Sequence, residues 1–165
     1  MTSAVPGTHL DAWRALLNAH TSVVTHAEEA LAAAGLPPLA WYDALWAIRR
    51  APKRRIRMAE LASRLTISRG GLTKLADRLE NARLIRREPA ADDGRGLYAV
   101  LTADGNAVLR RMWPVYSRAL REKFVSAIST EEAELIAAAL SRVDESRERT
   151  GPASSSSARA RPLRR

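Results

Sequence analysis

The sequence has no cysteine among its 165 residues. This absence excludes disulfide bonds, thiolate metal sites, a catalytic thiol and oxidant sensing by thiol chemistry. Long hydrophobic runs are absent too, because no stretch approaches the roughly 18 apolar residues that a membrane helix needs. Residues 1–9 lack the basic segment and apolar stretch of a secretory signal. We therefore expect one globular domain that is cytoplasmic and has no membrane partner.

Aromatic residues are scarce, at 5% of the chain, and none lies between Ala47 and Leu97. In the same region basic residues far outnumber acidic ones, since residues 49–95 hold 14 Lys or Arg and six Asp or Glu. Residues 149–165 hold five Arg and no acid. A localised basic block is typical of a chain that binds a polyanion. Binders of RNA or of single strands use aromatic stacking platforms, so the missing aromatics favour duplex DNA.

Signatures of catalysis and of metal binding are missing as well. No nucleophile elbow, phosphate-binding loop or dinucleotide glycine pattern occurs. The histidines are His9, His20 and His26, and the last two are six residues apart, on different faces of a helix. No acidic cluster converges on them. We expect no enzyme activity, no cofactor and no metal site.

Apolar periodicity predicts a mainly α-helical chain. The predicted helices cover about residues 9–34, 40–50, 58–65, 68–82, 103–128 and 129–147. Pro114 is expected to break or bend the fifth helix, and Ser129 with Glu132 forms a capping box that begins the sixth. The first helix is long and has a single apolar seam, which favours an oligomer interface. The seam consists of Leu10, Trp13, Leu17, His20, Val24, Ala27 and Leu31.

Two short helices in succession, followed by a hairpin, predict a winged helix-turn-helix. Ser68 is a good N-cap for the second of these helices. Residues 84–88 and 97–101 have strand-like composition, and the Asp-Gly pair between them is typical of a hairpin. The fold class is therefore mainly α with a small β-hairpin wing.

This motif predicts contacts with duplex DNA. The helix that begins at Ser68 would lie in the major groove with its N-terminal residues toward base edges. Arg95, at the hairpin tip, would enter the minor groove. The remaining DNA-contact candidates on the helix are Arg69, Gly70, Thr73, Lys74 and Arg78. Two alternatives stay open at this point: a solvated polar face, and a winged helix that contacts proteins without sequence-specific DNA binding.

Residues 10–147 resemble the MarR family of bacterial transcriptional regulators. The matching motifs are WYDAL at residues 41–45, RMAELA at 57–62, SRGGLTKL at 68–75, DRLE at 77–80, DGR at 93–95, LT at 101–102 and Gly105. The resemblance implies a homodimer on a palindromic operator, most often as a repressor. Its dimerisation region would comprise residues 1–36 and 103–148, and its winged helix-turn-helix residues 37–102. From their composition, we expect residues 149–165 to be a disordered basic tail.

The resemblance also implies roles for single residues. Asp93 would brace the wing and Arg95 would contact DNA. Many members release DNA when a small aromatic or anionic effector binds between the dimerisation helices and the winged domain. The candidate pocket residues here are Trp41, His20, Trp13 and Tyr116.

One position departs from the family pattern. After DRLE the family usually places a glycine before an apolar pair, and this chain has Arg83 before Leu84 and Ile85. If the helix still ends there with a positive φ, a residue other than glycine costs about 1 kcal/mol. A different helix end would instead shift the wing.

Overall fold

The structure is a computed structural model that describes residues 5–65, 67–90 and 96–149, with residues 144–149 described by the backbone alone. Asp93 and Arg95 lie outside the described residues, as do residues 150–165 of the predicted tail. The described elements are α1 (Gly7–Ala33), α2 (Leu39–Arg50), β1 (Arg55–Arg57), α3 (Met58–Arg64), α4 (Arg69–Asn81), β2 (Ile85–Pro89), β3 (Leu97–Leu101), α5 (Ala103–Leu120) and α6 (Thr130–Arg149). Within the described ranges, no helix is both long enough and apolar enough to cross a membrane.

The chain forms two compact units, one that ends at Ser126 and one that begins at Ala127. The core of the first unit contains apolar side chains from α1 to α5 and from all three strands; its largest fully buried members are Leu31, Leu45, Ile48, Ile56, Leu61, Leu79, Ile85, Leu109 and Met112. The second unit contains α6, and its capping box is confirmed. The Ser129 amide donates to Glu132 Oε2 at 2.9 Å, and the Glu132 amide donates to Ser129 Oγ at 3.2 Å.

The sheet has three antiparallel strands in the order β1-β3-β2. The hairpin of β2 and β3 was predicted, and its register pairs Ile85 with Leu101 and Pro89 with Leu97. β1 was not predicted, because a strand of three residues with one apolar position shows no alternation to detect. It pairs Ile56 with Ala99 on the buried face of the sheet.

Pro114 does not end α5. Of the two expected effects, the break does not occur, since the helix continues through Pro114 to Leu120. The regular hydrogen-bond pattern changes further on, in a π-helical turn at Arg121–Val125, where the Ser126 amide donates to the Arg121 carbonyl at 3.0 Å. This turn places Glu122 Oε2 2.9 Å from His26 Nε2 of α1.

The structure shows how α4 ends at Arg83, where the family pattern has glycine. The φ of Arg83 is 60°, so the helix ends with a left-handed residue that is not glycine. The Arg83 amide donates to the Glu80 carbonyl at 2.8 Å, and the Leu84 amide donates to the Leu79 carbonyl at 2.9 Å. This pair of bonds is the Schellman motif, which satisfies carbonyls at the end of a helix. The family's helix end is therefore retained with a conformational cost.

We expect Arg83→Gly to raise the free energy of unfolding by about 1 kcal/mol, because glycine adopts this φ without strain. Arg83→Ala is the matched control, since it removes the same charge and keeps the strained φ. Urea unfolding of both variants measures the effect. An equal gain in both variants would show that charge, and not backbone conformation, limits stability here.

Candidate nucleic-acid interface

The first turn of α4 is held by its predicted cap. Ser68 Oγ accepts a hydrogen bond from the Gly71 amide at 3.1 Å. This bond satisfies one of the free amides at the helix start. Gly70 lies beside it, and nothing lies within 4 Å of the position that a Cβ would occupy there. The surface of α4 is therefore open at Gly70.

The two faces of α4 differ in chemistry. Leu72, Leu75, Ala76 and Leu79 are buried, whereas the candidate DNA-contact residues Arg69, Thr73, Lys74 and Arg78 are all exposed. In the described part of the chain, the three basic residues of this set form no ion pair. The Thr73 hydroxyl donates to the Arg69 carbonyl at 3.0 Å and keeps its lone pairs available. The exposed face thus carries uncompensated positive charge.

An open cleft lies between α4 and the strands, and we call it the recognition cleft. Its volume is about 350 Å³. Its walls come from β1, α3, α4 and the start of β3: Arg57, Met58, Ala59, Ala62, Arg69, Leu72, Thr73, Gly96 and Leu97. Arg57 was not predicted as a site residue, although it belongs to the basic block and directly precedes α3. The fold places it in the lining of the same cleft as Arg69 and Thr73.

A network of ion pairs attaches α4 to the sheet. Arg87 of β2 donates from Nε to Glu80 Oε2 at 2.7 Å, and its backbone amide donates to Glu80 Oε1 at 2.8 Å. Its guanidinium also lies 2.8 Å from Asp77 Oδ1. The side-chain hydrogen bond from Arg87, followed by the backbone one, lowers the pKa of the Glu80 carboxyl below its ordinary value. The network fixes the orientation of α4 against the hairpin.

The lowered pKa of Glu80 makes part of the stability depend on pH. A carboxyl whose pKa is depressed by folding stabilises the protein above its ordinary pKa of about 4.3, and this contribution is lost as the pH falls through the folded value. We expect Glu80→Gln to lower the free energy of unfolding at pH 7 by about 1 kcal/mol, since the pair is partly exposed and screened. Between pH 6 and pH 3, the melting temperature of the Glu80→Gln variant should fall less than that of the wild type.

Glu60→Gln is the matched control for this prediction. Glu60 forms an exposed pair with Arg64 at 2.7 Å, one helical turn away within α3. Such pairs contribute only a few tenths of a kcal/mol. If Glu60→Gln altered the pH profile as much as Glu80→Gln, the contribution of the α4–β2 network would be refuted.

The four predicted pocket residues lie in different surroundings. Trp13 is 57% exposed and His20 is exposed, while Trp41 is half-buried against the core. Tyr116 packs edge-on against Tyr42, with ring centroids 5.1 Å apart. Tyr116 belongs to an aromatic cluster whose members are Tyr42, Trp46, Trp113 and Tyr116. The other three predicted pocket residues are not part of it.

A second cavity, of about 310 Å³, opens beside the aromatic cluster. It lies between α2 and α5 and is lined by Tyr42, Trp46, Arg49, Leu109, Arg110 and Trp113. The Arg49 guanidinium lies 5.6 Å from the Trp46 ring centroid. Aromatic rings beside two arginines suit a flat anion. Trp113 was not predicted for this role, because aromatics at helical spacing are more often core residues.

Among the described residues, no three His, Asp or Glu side chains cluster as metal ligands. His26 instead pairs with Glu122.

Comparison with known proteins decides the family. A family model described as the MarR family matches residues 34–96. AbsC, a MarR family transcriptional regulator from Streptomyces coelicolor, has a solved structure that superposes with a TM-score of 0.79. The sequence identity is 30%, and the match covers 89% of this chain and 99% of AbsC. This chain belongs to the MarR family. It is therefore a member of a family of transcriptional regulators and not of enzymes.

Two further relatives of this MarR-family protein extend the comparison. Sco3205, a MarR family transcriptional regulator from Streptomyces coelicolor solved in complex with DNA, has a TM-score of 0.80 at 29% identity, with 88% of this chain and 91% of that one covered. YkoM of Bacillus subtilis, an uncharacterized HTH-type transcriptional regulator, is 30% identical over 80 residues, or 48% of this chain. That match spans about half of YkoM, at 52% of its length.

Proposed function

We propose that this MarR-family protein binds a palindromic duplex operator and regulates transcription from it in the cytoplasm. The observation that carries the proposal is the exposed face of α4, where Arg69, Lys74 and Arg78 form no ion pair with the described residues. Helices of this motif enter the major groove with such a face toward the bases. The solved complex of Sco3205 with DNA supports the same use of the fold.

We further propose that the protein acts as a homodimer. The apolar seam of α1 is buried at Ala27 and Leu31, but Leu10, Trp13 and Leu17 are 38%, 57% and 45% exposed. A second copy would remove this surface from water, at about 25 cal/mol per Å² of apolar area. On α6, the exposed apolar residues are Leu135, Ile136, Leu140 and Val143. Sedimentation tests the dimer, and a stable folded monomer at micromolar concentration would contradict it.

The operator is tested by selecting bound duplexes from a random pool with the full-length protein. We expect an enriched palindrome whose half-sites are one helical turn apart, because dimer symmetry is copied into the site. The absence of any enriched sequence would overturn the proposal. It would favour a winged helix that contacts proteins instead.

Control by a small molecule is the remaining part of the proposal. The cavity between α2 and α5 combines aromatic rings with Arg49 and Arg110, which fits an aromatic anion. Tyr42 also lines this cavity, and burial is the main factor that raises the pKa of its hydroxyl, which keeps it neutral. Because Trp46 and Trp113 line the cavity, benzoate should quench tryptophan fluorescence, and Arg110→Gln should weaken that quenching.

We also propose that the bound dimer represses transcription and that the effector releases it. A reporter gene driven by the selected operator tests whether the protein represses or activates transcription. Expression should rise when the protein is deleted, and a fall would identify an activator.

A further inference from the structure

A second group of basic side chains lies on β1, apart from the face of α4. Arg55 and Arg57 flank the buried Ile56, so both project from the opposite face of the strand. Tyr98 of β3 pairs with Arg57 in the register and shares that face. The guanidinium carbon of Arg55 lies 4.0 Å from the Tyr98 ring centroid, and that of Arg57 lies 5.4 Å from it. Two arginines therefore share one aromatic ring.

Stacking on Tyr98 orients the Arg55 guanidinium without neutralising it. A cation–π contact uses the face of the guanidinium plane and leaves its N–H groups available to acceptors in that plane. Arg55 forms no ion pair with any residue in the described ranges. It is a positioned cation with free donors.

The surface around Arg55 is continuous with the recognition cleft. A further open cleft of about 510 Å³ runs along the outer edge of β1, which is an edge strand of the sheet. We call it the edge cleft; it is lined by Pro52, Lys53, Arg55, Ile56, Arg57, Glu60 and Tyr98. Arg57 lines both clefts, so the edge cleft and the recognition cleft adjoin there. The edge cleft contains three basic side chains and one acidic one, Glu60, which is paired with Arg64.

The turn that leads into β1 is held in an unusual conformation. Lys53 and Arg54 have φ values of 54° and 53°, the left-handed region that residues other than glycine rarely adopt. Strain of this kind persists where the surrounding structure imposes it, and it is concentrated at functional sites. Here the turn brings Lys53 into the same cleft as Arg55.

We propose that Arg55, oriented by Tyr98, binds a phosphate of the bound duplex outside the base-reading surface, with Lys53 adding positive charge. This inference rests on the proposed function, since it extends the DNA interface from α4 to β1. A planar guanidinium matches phosphate oxygens in a two-pronged contact. Such a contact strengthens binding and positions the protein, but it reads no base.

The test measures dissociation constants for the selected operator over a range of salt concentrations. Arg55→Gln should weaken binding on the order of tenfold and reduce the slope of log K against log salt by about 1.8, because the dimer loses one phosphate contact in each of two half-sites. The ratio of affinities for operator and scrambled duplex should not change. Tyr98→Leu should weaken binding less strongly, whereas Tyr98→Phe should match the wild type because it keeps the ring.

Arg118→Gln is the matched control, since it removes one exposed positive charge from α5. Phosphate ethylation interference should identify one phosphate per half-site that blocks the wild type and has no effect on Arg55→Gln. Thermal melting verifies folding, and Tyr98→Leu carries the test if Arg55→Gln does not fold.

The outcomes separate the two proposals. If the wild type prefers one operator and Arg55→Gln binds with the same affinity and salt slope, the phosphate site is refuted and the proposed function stands. A loss of operator preference in Arg55→Gln, or an equal loss of affinity in Arg118→Gln, also refutes the phosphate site. If the wild type prefers no duplex, the proposed function itself is wrong.

Discussion

Alanine at Arg69 or Lys74 will weaken operator binding by about 1–3 kcal/mol, or roughly 5- to 150-fold, if each side chain contacts a base. Both residues lie on the exposed face of α4 without an ion-pair partner in the described chain, so the loss comes from the DNA contact and not from a broken network. Arg69 also lines the recognition cleft together with Thr73. Fluorescence anisotropy with operator and scrambled duplexes measures both affinity and preference.

The comparison of the two duplexes distinguishes the roles of these side chains. A base contact lowers the affinity for the operator more than that for the scrambled duplex, whereas a phosphate contact lowers both equally. Arg64→Ala is the control, because Arg64 lies on α3 and pairs with Glu60 within its own helix. Unchanged binding in both α4 variants would show that these side chains of α4 do not contact DNA.

The second large effect concerns stability, at Gly105 in the first turn of α5. A Cβ there would lie 2.1 Å from the Leu84 carbonyl oxygen and 2.8 Å from Leu101 Cδ1. We expect Gly105→Ala to lower the free energy of unfolding by about 3 kcal/mol, because a backbone oxygen cannot move aside without shifting the helix. Thermal and urea unfolding measure it.

The surroundings of Gly105 explain why this contact is so close. Thr102 caps α5, since its Oγ1 accepts from the Gly105 amide at 3.0 Å and donates toward the Leu84 carbonyl at 2.9 Å. The Thr102 amide donates to that same carbonyl at 3.1 Å. The start of α5 is thus joined to the end of α4, directly after the strained Arg83.

Gly70→Ala is the matched control for Gly105→Ala. It adds the same methyl group to a helix at a position with nothing within 4 Å. Its stability should be unchanged or higher by up to about 1 kcal/mol, as expected from helix propensity. If both glycine variants lost stability equally, close packing at Leu84 would not be the cause.

The helices and the hairpin were largely predictable from the sequence. Apolar spacing, Ser68 as a cap and the capping box at Ser129 are local signals, and the structure confirms the elements that they define. β1 was missed, since three residues carry too little pattern. Proline removes one backbone hydrogen bond, which was expected to break or bend α5; the helix is not broken there, and its buried residues on both sides of Pro114, Met112 and Ala119, belong to one core.

The candidate site was predictable only in part. Periodicity shows that Arg69, Thr73 and Lys74 lie opposite the buried residues of α4, so their exposure follows from local sequence. Nothing local indicates that Arg57 lines the same cleft as Arg69 and Thr73, because that depends on how separate elements are placed in the fold. The roles of Asp93 and Arg95 stay predictions, as both lie outside the described residues.

The sequence by itself determined three things. The absence of cysteine excludes thiol chemistry, the distribution of charge locates the basic block, and the spacing of apolar residues predicts most of the helices and strands. These are properties of composition and of neighbours within one helix or strand. Only the tertiary structure decided that Arg87 pairs with Glu80 and that Arg55 and Arg57 share Tyr98. Such contacts join separate elements, and their geometry is set by the packing of those elements against one another, which no local pattern encodes.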